Sequence, residues 1–158
     1  MQMPSAETVS KLLSSLLGDD YVVKSSDAKA NVDDLMKGFA AICYDDAGNP
    51  VGAIVADLVA TVSLGGKLMM LPQGGLEDQV DEGKADEMVV EAVSEVFNNL
   101  TSTMNRTPGN PHIRSDPATA VAALVGQDSG SWMKTASVRG DYSGEFCCGM
   151  GKVAIIWR

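Results

Sequence analysis

Residues Asp81 to Asn105 carry the pattern of a long amphipathic helix, and no other stretch constrains the chain as strongly. At about 100° per residue, Val89, Val93, Val96, Leu100 and Met104 fall within one apolar sector, the spacing of a helix that buries one face. The same arithmetic sets Lys84, Glu87, Glu91, Glu95, Asn98 and Ser102 in a narrow stripe almost opposite. Helical throughout, the segment would extend about 37 Å.

The rest of the chain supplies shorter elements. Val9, Leu12, Leu13, Leu16 and Leu17 recur at helical spacing between Ser5 and the stop at Gly18. Lys24 to Lys37 is polar and reads as a loop. Phe39 to Tyr44 and Val51 to Ala56 read as two strands of a hairpin, joined by the turn residues Asp45 to Pro50. A helix follows over Asp57 to Leu71, weakened by Gly65 and Gly66 at about 1 kcal/mol each, and Pro72 to Gly75 ends it. Thr107 to Pro117 reads as a loop. Ala118 to Val125, Trp132 to Val138 and Lys152 to Trp157 read as strands. Helices and paired strands in one unit predict an α/β (α+β) layered fold with a largely antiparallel sheet.

Composition bounds the class. A chain of 158 residues is expected to form a single domain, residues 1–158, and can bury roughly 70% of its unfolded surface without disulfides or metals. With 12 Lys+Arg against 21 Asp+Glu the net charge is −9, which argues against nucleic acid, whose binding rests on cations that neutralise phosphates. Cys43 stands alone and Cys147 and Cys148 are adjacent, an odd set without framework spacing, so a reducing, cytoplasmic location is expected. The N-terminal residues do not read as a signal peptide, no apolar run is long enough to span a membrane, and the two Asn-X-Thr sequons at Asn99 and Asn105 read as chance.

The stripe on the long helix is the candidate site. Glu95 and Asn98 are three apart and hence neighbours on one surface, although a merely solvated helix face has the same spacing. The Asn98-Asn99 pair is less ordinary, because asparagine inside a helix costs several tenths of a kcal/mol. A carboxamide is both donor and acceptor, and so can hold a water in line with an electrophilic phosphorus without exchanging protons itself. Phosphoryl transfer depends mainly on such positioning and on charge stabilisation. A nearby carboxylate could pair with a partner's lysine and set the docking register.

Glu91-Ala92-Val93-Ser94-Glu95-Val96-Phe97-Asn98 resembles the signature of the CheC/CheX/FliY-type phosphatases of bacterial chemotaxis: an acidic or Ser residue, three positions, Glu, two positions and Asn. The preceding strand, helix and acidic connection (Glu77 to Glu82) match as well, so the resemblance covers roughly residues 39–105. Glu91 stands where the family prefers Asp or Ser. The proline expected a little over 20 residues beyond the Asn is replaced by Val121, and the first helix, with Glu7-Thr8-Val9-Ser10, lacks a second Asn, as in the single-site CheX kind. The resemblance implies a CheC-like layered fold with the sheet packed against long helices. It also implies hydrolysis of the aspartyl-phosphate of a CheY-like response regulator. Asn98 would orient the water, Glu95 would bind a regulator lysine, and Glu91, Ser94 and Ser102 would line the contact. No cofactor of its own is implied, since Mg2+ would be supplied by the regulator, and a homodimer paired through the sheets is expected. The rival reading is a noncatalytic chemotaxis or flagellar-switch-like interaction module of the same fold, and a third is an unrelated α/β domain.

Other residues carry blander readings. His112 reads as a surface loop histidine, Cys147-Cys148 as a turn or strand-end pair, and Gly149-Met150-Gly151-Lys152 as a hairpin turn rather than a phosphate loop. Met69, Met70, Met88 and Met104 read as core fillers, and Trp132 and Trp157 as core or dimer-contact residues. The acidic pairs Asp19-Asp20 and Asp33-Asp34 lack calcium-loop spacing.

Overall fold

A computed structural model describes residues 1–18, 20–27, 35–128 and 130–158. Helix α1 (Ala6–Leu17) starts where Ser5 Oγ accepts the Thr8 N–H at 3.2 Å and stops at Gly18, whose φ of +74° suits a residue without Cβ. The chain continues through β1 (Val23–Ser25), β2 (Phe39–Tyr44), β3 (Pro50–Ala56), α2 (Leu58–Leu68), α3 (Gln73–Glu82) and α4 (Glu87–Arg106). After α4 come β4 (Arg114–Ser115), β5 (Thr119–Ala120), α5 (Val121–Leu124), a 3-10 turn at Ser131–Lys134, β6 (Val138–Phe146) and β7 (Gly149–Trp157). The strands form one seven-stranded sheet in the order β1-β6-β7-β3-β2-β4, with β5 also beside β2, and the pairings are antiparallel. The fold is thus the mixed α/β architecture with an antiparallel sheet that the sequence predicts.

The central strands β2, β3 and β7 are apolar on both faces because both faces are covered. Ala41, Cys43, Ile54, Ala56, Val153 and Ile155 pack with Val9 and Leu13 of α1, Leu64 of α2 and Val93, Phe97 and Leu100 of α4. Their alternating neighbours Ala40, Ile42, Ala53, Val55, Ala154 and Ile156 pack with Val121, Leu124 and Met133. Asp57 joins the layers: one carboxylate oxygen caps α2 by accepting the Ala60 N–H at 2.8 Å, and the other accepts the Lys152 N–H of β7 at 3.0 Å.

Several expectations are corrected. The segment Asp81 to Asn105 is not one helix. It holds the end of α3 and then α4, a 20-residue helix about 30 Å long, because Gly83 at φ +77° closes α3. Lys84 therefore lies outside α4, and Pro72, expected only to end α2, caps the start of α3. Gly65 and Gly66 do not weaken α2 at random. A Cβ at Gly65 would lie 2.3 Å from the Val89 carbonyl oxygen, and one at Gly66 would lie 2.2 Å from Leu76 Cδ2, so they are where α4 and α3 approach α2.

Ala118 to Val125 is strand only at β5. Val121 and Leu124, three apart, then bury one face of a short helix while Ala122 and Ala123 stay exposed. Trp132 lies in the 3-10 turn, and strand begins only at Val138. Beyond Val138, β6 is not expected from the sequence because VRGDYSGEF mixes glycine and charge; the Arg139 and Asp141 side chains are buried there and pair with each other at 2.6 Å. Lys24 and Ser25 belong to β1 rather than a loop, the rest of that loop expectation falls largely on residues 28–34 outside the described residues, and Arg114–Ser115 adds a strand within the loop expected at Thr107 to Pro117. The acidic pairs likewise fall partly outside the description, at Asp19, Asp33 and Asp34. Gly149 to Lys152 opens β7, and the hairpin turn is Cys147-Cys148. Met104 is core, but Met69, Met70 and Met88 are exposed.

Candidate functional site

The site is built on α4. Val89, Val93, Val96, Phe97, Leu100, Thr101 and Met104 are buried, so the apolar sector is clamped against α2 and the sheet and the helix cannot roll. The opposite sector is thereby fixed outward: Glu91, Glu95 and Asn98 are exposed, and Ser94 and Ser102 are half-buried. No helix among the described residues is long and apolar enough to cross a membrane.

The five predicted residues differ in their freedom. Among the described residues the Asn98 carboxamide has no hydrogen-bond partner, while its backbone carbonyl accepts the Ser102 hydroxyl at 3.1 Å. Glu95 Oε1 accepts Asn99 Nδ2 at 3.1 Å, and the same amide donates to the Glu95 carbonyl at 2.8 Å. Glu91 carries no ion pair among the described residues. Ser94 is engaged inward: its hydroxyl donates to the Val90 carbonyl at 3.1 Å and accepts the Ala118 N–H at 2.9 Å, tying α4 to the chain entering β5. Glu91, Glu95 and Asn98 thus share one outer face, whereas Ser94 serves the fold.

Asn99 was not singled out as a site residue by the sequence reasoning. Its signal was present in the helix-unfriendly Asn98-Asn99 pair and in its i+4 relation to Glu95.

This outer face, the α4 ridge, holds an exposed carboxylate and a carboxamide, unbonded among the described residues, one turn apart. Two polar groups on an exposed helix face are placed to enter a cavity that a partner brings. Among the described residues no three His, Cys, Asp or Glu side chains come together as a metal-ligand set. His112, in the loop between α4 and β4, is exposed and pairs with Asp46 of the β2–β3 turn at 2.7 Å.

No protein-family model and no curated protein matches the sequence. Solved structures do match over nearly its full length. A chain of the CheX-CheY-BeF3-Mg2+ complex from Borrelia burgdorferi is 16% identical, with a TM-score of 0.55, over 95% of this chain and 92% of that one. FliY from Thermotoga maritima is 12% identical, with a TM-score of 0.56, over 94% and 81%. The FliM middle domain from H. pylori is 11% identical, with a TM-score of 0.54, over 96% and 84%. The chain therefore has the CheC/CheX/FliY-type fold, shared with the FliM middle domain.

Proposed function

We propose that this chain is a phosphatase for the aspartyl-phosphate of a CheY-like response regulator, acting through the α4 ridge. The observation that carries the reading is that Asn98, its carboxamide unbonded among the described residues, and the exposed Glu95 stand one turn apart on a helix whose rotation the core fixes. Asn98 would enter the regulator's phosphorylation site and hold the attacking water. Glu95 would take a regulator lysine in a charge-assisted hydrogen bond. The regulator would supply the aspartyl-phosphate and its Mg2+, and the ridge only positions. Glu91 and Ser102 border the contact, and Ser94 supports the helix beneath it. A cytoplasmic location and pairing of two copies through the sheet belong to the same proposal.

The test is the decay of a phosphorylated CheY-like regulator with and without the protein. Acceleration that vanishes in Asn98→Ala supports the reading, and acceleration that survives it removes Asn98 from the mechanism.

A noncatalytic switch-like module is the second reading, favoured by likenesses to FliM chains, including one solved in a FliG-FliM complex. It predicts partner binding with no change in phosphate lifetime.

A further inference from the structure

The β6–β7 hairpin turns through two residues, Cys147 and Cys148, between the paired Phe146 and Gly149. Along a strand, successive side chains point to opposite faces. In this turn they converge instead, and the two Sγ atoms lie 3.5 Å apart, in van der Waals contact. Two-residue hairpin loops favour Asn-Gly or Gly-containing pairs that accept positive φ. Here two cysteines occupy the loop without positive φ, and Gly149 at φ +125° absorbs the conformational demand. The tip is also held: Gln73 Nε2 donates to the Cys147 carbonyl at 3.2 Å while bonding Glu77 Oε1 at 2.8 Å. Beside the Cys148 thiol lies the buried Ser63 hydroxyl, which has no hydrogen-bond partner in good geometry among the described residues. Both cysteines are half-buried and reachable from solvent, whereas Cys43 is buried.

We propose that Cys147 and Cys148 form a vicinal dithiol that is a modification site, closing to an intramolecular disulfide by exchange with a low-molecular-weight disulfide. The Cys147 thiolate attacks one sulfur of the small disulfide, forms a mixed disulfide and releases the first small thiolate. Cys148 then gives its proton to solvent and attacks the Cys147 sulfur, expelling the second. Two protein thiols are oxidised and one small disulfide is reduced to two thiols. Burial, opposed by the neighbouring Ser63 hydroxyl and reinforced by Cys147 and Glu77, pushes the Cys148 thiol up to about 11, so at neutral pH Cys148 is held as the thiol. Closure brings the sulfurs from 3.5 Å to about 2.05 Å in a ring that includes the peptide bond between them. The turn must reshape around the Cys147 carbonyl that Gln73 holds. Strained disulfides of this kind are readily reduced again, which suits a reversible site.

The test incubates the full chain, natively folded, with oxidised glutathione and follows intact mass and peptide maps. The expected wild-type product has lost two hydrogens, carries no glutathione, resists alkylation at Cys147 and Cys148, and is restored by dithiothreitol. Cys148→Ser retains a glutathione adduct on Cys147. Phenylarsine oxide, which bridges two thiols with loss of water, is expected to bind the wild type stoichiometrically and block the oxidation. A wild type that keeps a glutathione adduct, forms covalent dimers, stays fully reduced or fails to take up the arsenical overturns the proposal.

Discussion

Asn99 Nδ2 donates to both Glu95 Oε1, at 3.1 Å, and the Glu95 backbone carbonyl, at 2.8 Å, so the second asparagine of the pair holds the carboxylate beside the first. Among the described residues the carboxamide of Asn98 stays unbonded while that of Asn99 is committed. Exposed i,i+4 contacts of this type are worth about 0.2–0.5 kcal/mol. On the proposed function, Asn99→Ala is therefore expected to weaken regulator docking about twofold, seen as a rise in KM with kcat unchanged. Asn99→Asp sets a like charge against Glu95 and is expected to weaken it further, and less so at high salt.

Asn98→Ala and Glu95→Ala should separate chemistry from docking. Loss of the Asn98 amide, proposed to hold the attacking water, is expected to lower kcat on the order of 10²-fold. Loss of the carboxylate is expected to raise KM. Both side chains are exposed, so urea unfolding should shift by less than about 0.5 kcal/mol in either variant.

Ser94→Ala should behave in the opposite way. It strands the Ala118 N–H that Ser94 Oγ accepts at 2.9 Å, so a stability loss of about 1–2 kcal/mol is expected by urea titration. Activity at a temperature where the variant is fully folded should fall little.

The glycines of α2 and α3 give a paired stability test. Gly65→Ala gains about 1 kcal/mol of helix propensity but drives a Cβ to 2.3 Å from the Val89 carbonyl oxygen, so a net loss of about 1–3 kcal/mol is expected. Gly74→Ala in α3 meets nothing within 4 Å and is expected to gain about 0.5–1 kcal/mol. Thermal or urea unfolding of the two variants should move in opposite directions.

Asp57 ties pH to the α2–β7 junction. Burial raises its carboxyl above the ordinary 3.8, against the lowering pull of hydrogen bonds from the Ala60 and Lys152 backbones. Folding therefore favours the protonated form. The contribution is fully present below pH 3.8 and is lost as pH rises through the raised value. Asp57→Ala should cost about 2 kcal/mol through the lost cap and the stranded Lys152 N–H. The gap between wild type and variant, from urea titrations, is expected to be widest below the ordinary value and to narrow as pH rises above it.

Much of the fold is legible residue by residue where the signal is local. Phe39–Tyr44 and Pro50–Ala56 are apolar runs around turn residues, and Ser5 and Gly18 bracket α1 with ordinary caps. The elements that escape are those whose reason lies elsewhere in the chain. VRGDYSGEF becomes β6 because β1 and β7 pair with it on either side and because Gly144 leaves room for Val23, whose Cγ1 would lie 3.0 Å from a Cβ there. Val121–Leu124 coils because the second sheet face needs cover at that point.

By itself the amino-acid order determined that α4 would bury Val89, Val93, Val96, Leu100 and Met104 and turn Glu91, Glu95 and Asn98 the other way, because helical periodicity is a property of neighbouring residues. Tertiary structure alone decided that Ser94 is spent on the Ala118 N–H and that Gln73 of α3 holds the Cys147 carbonyl at the β6–β7 hairpin tip. Those outcomes depend on which distant backbone groups arrive beside each side chain, and contacts between segments far apart in sequence leave no local period to read.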